Sequence, residues 1–154
     1  MTSSSAVATR HVPLARRLLI RNLKALDLPP GDFVIAGSAP LWARDVVRRI
    51  ADLDVVVRGA AWERALRLGP PQPAKFAHLQ ESRGVRSVEV PQLRIELLDG
   101  WFPGLWSVDE LIRDAEDVEG WPFVPLDVVE KTKTLLDRPV DRTHLRALRA
   151  SRQG

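Results

Sequence analysis

The sequence predicts an α+β chain, α/β-like in its first half, with a small mixed sheet flanked by helices. Three observations carry this reading. Short apolar runs bounded by Gly, Pro or acidic residues alternate with helical periodicity over residues 13–68. A strand-rich stretch follows to residue 98, and residues 107–150 return to helical spacing. That order fits helices layered on one sheet. The length, 154 residues, is that of one domain, here 13–150, with its core at 32–98 and a C-terminal helical part at 107–150.

The elements follow in order. Residues 1–12 are expected to be a disordered N-terminus, being small and polar over 1–9. Pro13–Leu28 predicts a helix, with Leu14, Leu18, Leu19, Leu23 and Leu26 on one stripe and Pro29-Pro30-Gly31 as its stop. Phe33–Ala36 predicts a buried strand ended by Gly37-Ser38. Ala39–Arg49 predicts a helix, and Leu53–Val57, rich in β-branched residues, a second strand. Ala60–Leu68 predicts a helix and Gly69–Pro73 a loop. Residues 74–98 read as strands, turning at Gly84 and Pro91, with Val85, Val88 and Val90 in one and Leu93–Leu98 in another. Asp99–Trp106 is an aromatic-rich loop. Ser107 opens a helix to Ala115 with a capping box through Glu110. Val118–Val124 is short and limited by Pro122, and Leu126–Leu136 and Asp141–Ala150 predict the last two helices.

Composition excludes several chemistries. The chain has no cysteine, so disulfides, Cys–zinc sites, Fe–S clusters and cysteine nucleophiles are out. No apolar run approaches the roughly 18–20 residues that span a bilayer. The expectation is a cytoplasmic chain with no membrane partner. The net charge of +3 hides a pattern: +5 over residues 1–50, −7 over 51–130 and +5 over 131–154. Such asymmetry points towards nucleic acid, nucleotide phosphate or metal. The acids of 109–119 read as a solvated helix face, and Arg142, Arg146 and Arg149 as either a solvated face or an RNA-facing stripe. Trp42 and Trp62 fall at packing positions, whereas Trp101 and Trp106 are candidates to stack on a base. His11, His78 and His144 lie at no metal-binding spacing, and His144 reads as a residue that orders the C-terminal helices.

One constellation carries chemistry. A strand delivers Gly37-Ser38 to a helix start, where glycine permits close approach and a hydroxyl with free N–H groups suits phosphate. Thirteen residues separate Ser38 from Asp52, and Asp54 follows two further on. Strand alternation points both carboxylates to one face, where they repel unless a divalent cation neutralises them. Glu96, inside the apolar run Leu93–Leu98, is the leading third acid, with Asp99 and Glu89 as rivals.

Gly37, Ser38, Asp52, Asp54 and Glu96 together resemble the signature of the nucleotidyltransferase superfamily of the DNA polymerase β type. The tail Lys131-Thr-Lys133 through Arg138-Pro-Val-Asp141 to His144 resembles the lysine helix and Arg-Pro-Lys-Asp turn of its small bacterial branch, which includes toxin-type and antibiotic-modifying enzymes. The resemblance spans about residues 32–148. It departs in two places: Val140 stands where the turn often has lysine, and the third acid is glutamate rather than aspartate.

The resemblance implies a nucleotidyltransferase fold and transfer of an NMP from an NTP to an acceptor hydroxyl, with pyrophosphate released. It implies Mg²⁺, in a two-metal site or with Mn²⁺ instead, held by Asp52, Asp54 and Glu96. Gly37 and Ser38 would hold the triphosphate and Lys133 would counter its charge, with Lys131 second. The acceptor (small molecule, tRNA or protein) and the base are left open, and a toxin–antitoxin role is a candidate. The alternative is a non-catalytic nucleotide- or RNA-binding module on the same fold.

Overall fold

The computed structural model describes residues 10–154, so the expectation for the first nine residues lies outside the described ones. Six α-helices and seven strands are present among them. The helices are α1 (Leu18–Leu26), α2 (Ala39–Ala43), α3 (Gly59–Leu68), α4 (Val108–Arg113), α5 (Leu126–Leu136) and α6 (Pro139–Gln153). The strands are β1 (Phe33–Ala36), β2 (Leu53–Val57), β3 (Gln72–Pro73), β4 (Arg86–Val90), β5 (Ile95–Leu98), β6 (Glu116–Val118) and β7 (Trp121–Phe123). They form one mixed sheet in the order β3-β4-β5-β2-β1-β7-β6. The β1–β2 pair is antiparallel, while β2–β5 and β1–β7 are parallel.

Strand alternation divides the core between the two faces of the sheet. Phe33, Ile35, Leu53, Val55, Ile95 and Leu97 join Leu19, Ile20 and Leu23 of α1 and Ala61 and Ala65 of α3. Val34, Ala36, Val56 and Leu98 face the other way, onto Leu111 of α4, Val128 and Val129 of α5 and Leu148 of α6. Removing such side chains from water, at about 25 cal/mol per Å² of apolar area, is what holds both layers down. Asp54 and Glu96 share the parity of the second face, so the sheet sets them beneath the C-terminal helices.

Several expected elements are broken where side chains recruit the backbone. The helix expected from Pro13 splits into a 3₁₀ turn (Leu14–Arg16) and α1, because Arg17 is extended (φ −79°, ψ 136°). There the Leu14 N–H is donated to Glu119, and the Arg17 guanidinium to the carbonyls of Val12 and Trp42. The helix expected over 39–49 stops at Ala43, and Asp45 sits in the left-handed region (φ 61°) with its carboxylate on Arg17. Residues 44–52 are therefore irregular, and Asp52 lies just before β2 rather than on it.

Residues 74–82 are turns with a 3₁₀ segment, not strand, and β3 falls in the expected loop. Residue 85 precedes β4, and Arg94 (φ 56°) delays β5 to Ile95. The capping box at Ser107 is present, though α4 ends at Arg113. The chain beyond forms the β6–β7 hairpin through Glu119-Gly120, both at positive φ, as a two-residue turn of the I′ kind requires. Pro139 opens α6 two residues before the expected start, at a position where its missing N–H costs nothing.

Candidate functional site

The site begins with register. Ala36 at the end of β1 pairs with Asp54, Asp54 pairs with Glu96 on β5, and Glu96 pairs with Glu89 on β4. Three acids thus cross the same face of three adjacent strands. Gly37 (φ 66°) follows immediately, and a Cβ there would overlap the Asp54 carboxylate. Glycine at 37 is required by its neighbour Asp54, a closer constraint than the ligand approach expected from sequence. Asp52 is exposed, and Asp54 and Glu96 are progressively more buried.

Crowding of like charges marks the centre. The Asp54 carboxyl is pushed up to about 7 by burial first, then by the charges of Glu96 and Asp52, against the opposing pull of Lys75 and Arg138. Burial also raises the Glu96 carboxyl, although Lys75 partly offsets this. The Lys75 Nζ lies 3.9 Å from Glu96 and 3.7 Å from Glu89, on a side chain that is 73% exposed. The rival acid Asp99 turns away: it accepts from the backbone and Nε of Arg86.

A buried polar chain joins the Gly-Ser turn to the last two helices. Asp141, wholly buried, accepts from the backbone N–H and guanidinium of Arg138 and from Lys133 Nζ at 3.1 Å. Burial alone would raise its carboxyl, but these donors outweigh it and hold it below the ordinary range. Lys133 also donates to Ser38 Oγ at 2.7 Å. An ammonium has only donors, so Ser38 accepts there, and its hydroxyl also hydrogen-bonds with His144 Nδ1 at 3.1 Å. The His144 imidazole pKa is lowered by burial first and then by Lys133, which favours the neutral ring beside the ammonium.

Burial likewise lowers the Lys133 ammonium, with Asp141 opposing. The Ser38 hydroxyl and Lys133 are thus engaged with each other as well as lining the site. Lys131 does not line it; Arg138 does.

All six expected site residues, Gly37, Ser38, Asp52, Asp54, Glu96 and Lys133, line one cavity of about 260 Å³. Sequence reasoning did not assign Lys75, Arg138 or His144 to it, and only the tertiary fold brings them there. Val140, half exposed, lines the same rim where the resemblance expects a lysine. Trp101 lines it too, packed edge-on against Phe76 (5.0 Å) and Phe102 (5.5 Å) rather than standing open for a base.

Among the described residues no group of three or more His, Cys, Asp or Glu side chains is gathered closely enough to hold a metal ion by itself. The chemistry of the side chains nonetheless suits a hard cation: Asp52, Asp54 and Glu96 offer only carboxylate oxygens, and the Asp54 carboxyl, pushed up to about 7 by burial and its neighbours, is the one a cation would relieve. Comparison with protein-family models, curated proteins and solved structures returned no match.

Proposed function

We propose that the chain is a metal-dependent nucleotidyltransferase on a nucleotidyltransferase-like fold. One observation carries the reading: Asp54 is sandwiched between the Gly37 turn and Glu96, with Asp52 two residues before it at the mouth of the same cavity. Acids forced together at a glycine turn are costly unless a cation and a phosphate ester share them. Asp52, Asp54 and Glu96 would hold Mg²⁺. When bound, it neutralises the triphosphate and the developing charge on the attacking and leaving oxygens.

The chain's own groups supply the rest. Gly37 keeps the turn pressed on Asp54. Lys133 and Arg138 place positive charge beside the turn, where a triphosphate would lie. Glu96, its carboxyl raised, takes the proton of the acceptor hydroxyl. That oxygen bonds to the α-phosphorus, the bond to the β-phosphate oxygen breaks, and pyrophosphate leaves.

The test uses α-labelled NTPs with Mg²⁺ and a panel of RNA, protein and small hydroxyl acceptors. Asp52→Ala with Asp54→Ala should reduce transfer by more than about 10³-fold while the circular dichroism stays that of the parent. Transfer by the double variant at the parental rate would sink the reading. The Lys75–Glu96 contact favours a second reading, a non-catalytic nucleotide-binding module whose third acid is already occupied by a lysine. Magnesium-dependent NTP binding with no pyrophosphate released would select it.

A further inference from the structure

Asp54 and Glu96 stand on strands, but Asp52 stands on none. It is exposed, it ends the irregular 44–52 segment, and no hydrogen bond or ion pair holds its carboxylate among the described residues. Its place is therefore set by whatever fixes the backbone on either side of it.

Arg94 fixes both sides. Its guanidinium donates to the carbonyl of Ala51 from Nε (2.7 Å) and to that of Ile50 from Nη2 (2.8 Å). Its own carbonyl accepts the Leu53 N–H at 3.0 Å. One residue thus clasps the chain immediately before and immediately after Asp52. The planar fork of arginine reaches two adjacent carbonyls at once, which a point donor such as lysine does not.

The clasp is itself anchored. Arg94 follows the 3₁₀ turn Pro91–Leu93 and donates its N–H to the Pro91 carbonyl. The Leu93 carbonyl accepts from Asn22 of α1 at 2.9 Å. Arg94 lies in the left-handed region (φ 56°), a strain that persists only where the surroundings over-determine it. Two residues further on is Glu96, and Arg94, Asp52 and Glu96 line one small cavity of about 150 Å³. Arg94 thereby ties the acid at the mouth of the site to the strand that carries the acid at its floor.

We infer that Arg94 is the positioning residue of the candidate cation site: it holds Asp52 at a fixed place against Asp54 and Glu96, so that a divalent cation meets three carboxylates already arranged. The inference rests on the cation reading of those acids. An exposed acid that must be ordered at binding costs conformational entropy. Partners standing behind metal ligands are worth about 10–100-fold in metal affinity.

Charge and position oppose each other here, so the sign of the effect decides. Arg94 is a cation beside the acids, and on charge alone its removal tightens cation binding. Its loss as a positioning residue weakens binding. Titration with Mn²⁺, followed by the paramagnetic resonance of the free ion, reads the difference without any turnover. Arg94→Asn tolerates the left-handed region and deletes the fork. Arg94→Lys keeps the charge and cannot span both carbonyls. Arg94 is exposed, so neither change opens the core, and circular dichroism should match the parent's. The asparagine variant should bind Mn²⁺ about tenfold or more weakly, and the lysine variant should fall between it and the parent. Affinity in either variant equal to or above the parent's would overturn the inference. Mn²⁺ affinity that Asp54→Asn leaves unchanged would instead sink the cation reading. Amide exchange in the metal-free protein separates the two: the Leu53 N–H should exchange faster in Arg94→Asn than in the parent, and equal rates would overturn the clasp whatever the cation does.

Discussion

Trp101 carries a buried indole N–H with no acceptor among the described residues. An unpaired buried donor forfeits its hydration, at about 1–3 kcal/mol. Its ring contacts with Phe76 and Phe102, by contrast, stabilise the floor of the site. The two contributions separate by substitution. Trp101→Phe keeps an aromatic ring and deletes the orphan donor, so its urea-denaturation stability should lie within about 1 kcal/mol of the parent, while Trp101→Ala should lose about 3–5 kcal/mol. A loss in the phenylalanine variant equal to that of alanine would mean that the N–H, not the ring, holds the site. Gly37 follows the same logic in reverse, since its missing side chain makes room for Asp54.

At the scale of elements, the segment before α1 is held by charge as well as by the buried Leu14 side chain. His11 lies between Asp45 and Glu119, and Arg17 reaches the same Asp45. The imidazole is raised above 6.5 by hydrogen bonds first to Asp45 and then to Glu119. Glu119 is lowered below 4.5, first by the Leu14 N–H. Burial raises the Asp45 carboxyl, but His11 and Arg17 outweigh it and leave it below 3.8. A raised histidine stabilises below its unfolded value and is lost as pH climbs through the folded one; lowered acids are lost as pH falls through theirs. The clamp is therefore complete between pH 4.5 and 6.5 and opens on either side. Amide exchange over residues 10–17, corrected for intrinsic rate, should be slowest in that window, and His11→Gln should flatten the alkaline arm. An alkaline arm that persists in the variant would exclude the histidine.

The clamp also shows what the sequence could and could not tell. The bounds of β1, β2 and α5 were legible because Gly, Pro and acidic residues punctuate apolar runs there. The cluster of Gly37, Asp54 and Glu96 was legible because strand parity and spacing are local properties. The early end of α2 was not, because it depends on partners distant in sequence: Asp45 answers to Arg17 and His11, and Arg44 to Glu116. Lys75 and His144 escaped for the same reason, as a turn lysine and a helix histidine carry no local mark of what they will touch.

For the whole molecule, the acids bind stability to pH and to cations. The Asp54 carboxyl moves from 3.8 unfolded to about 7 folded, so the folded protein retains a proton that the unfolded chain gives up. Its contribution is full below pH 3.8 and is lost as pH rises through 7, the reverse of an ordinary salt-bridged aspartate. A shift of this size corresponds to a few kcal/mol, or several degrees in Tm for a chain of this length. Asp54→Asn removes the titration, so its Tm should exceed the parent's at pH 8 and match it near pH 4. If Asp54 also holds Mg²⁺, the cation should raise the parent's Tm at pH 8, do much less at pH 5 where a proton competes, and leave the Asn variant almost unmoved. A magnesium effect equal in both proteins would place the cation elsewhere, and a parental Tm at pH 8 as high as the variant's would mean that Lys75 and Arg138 already balance the acids.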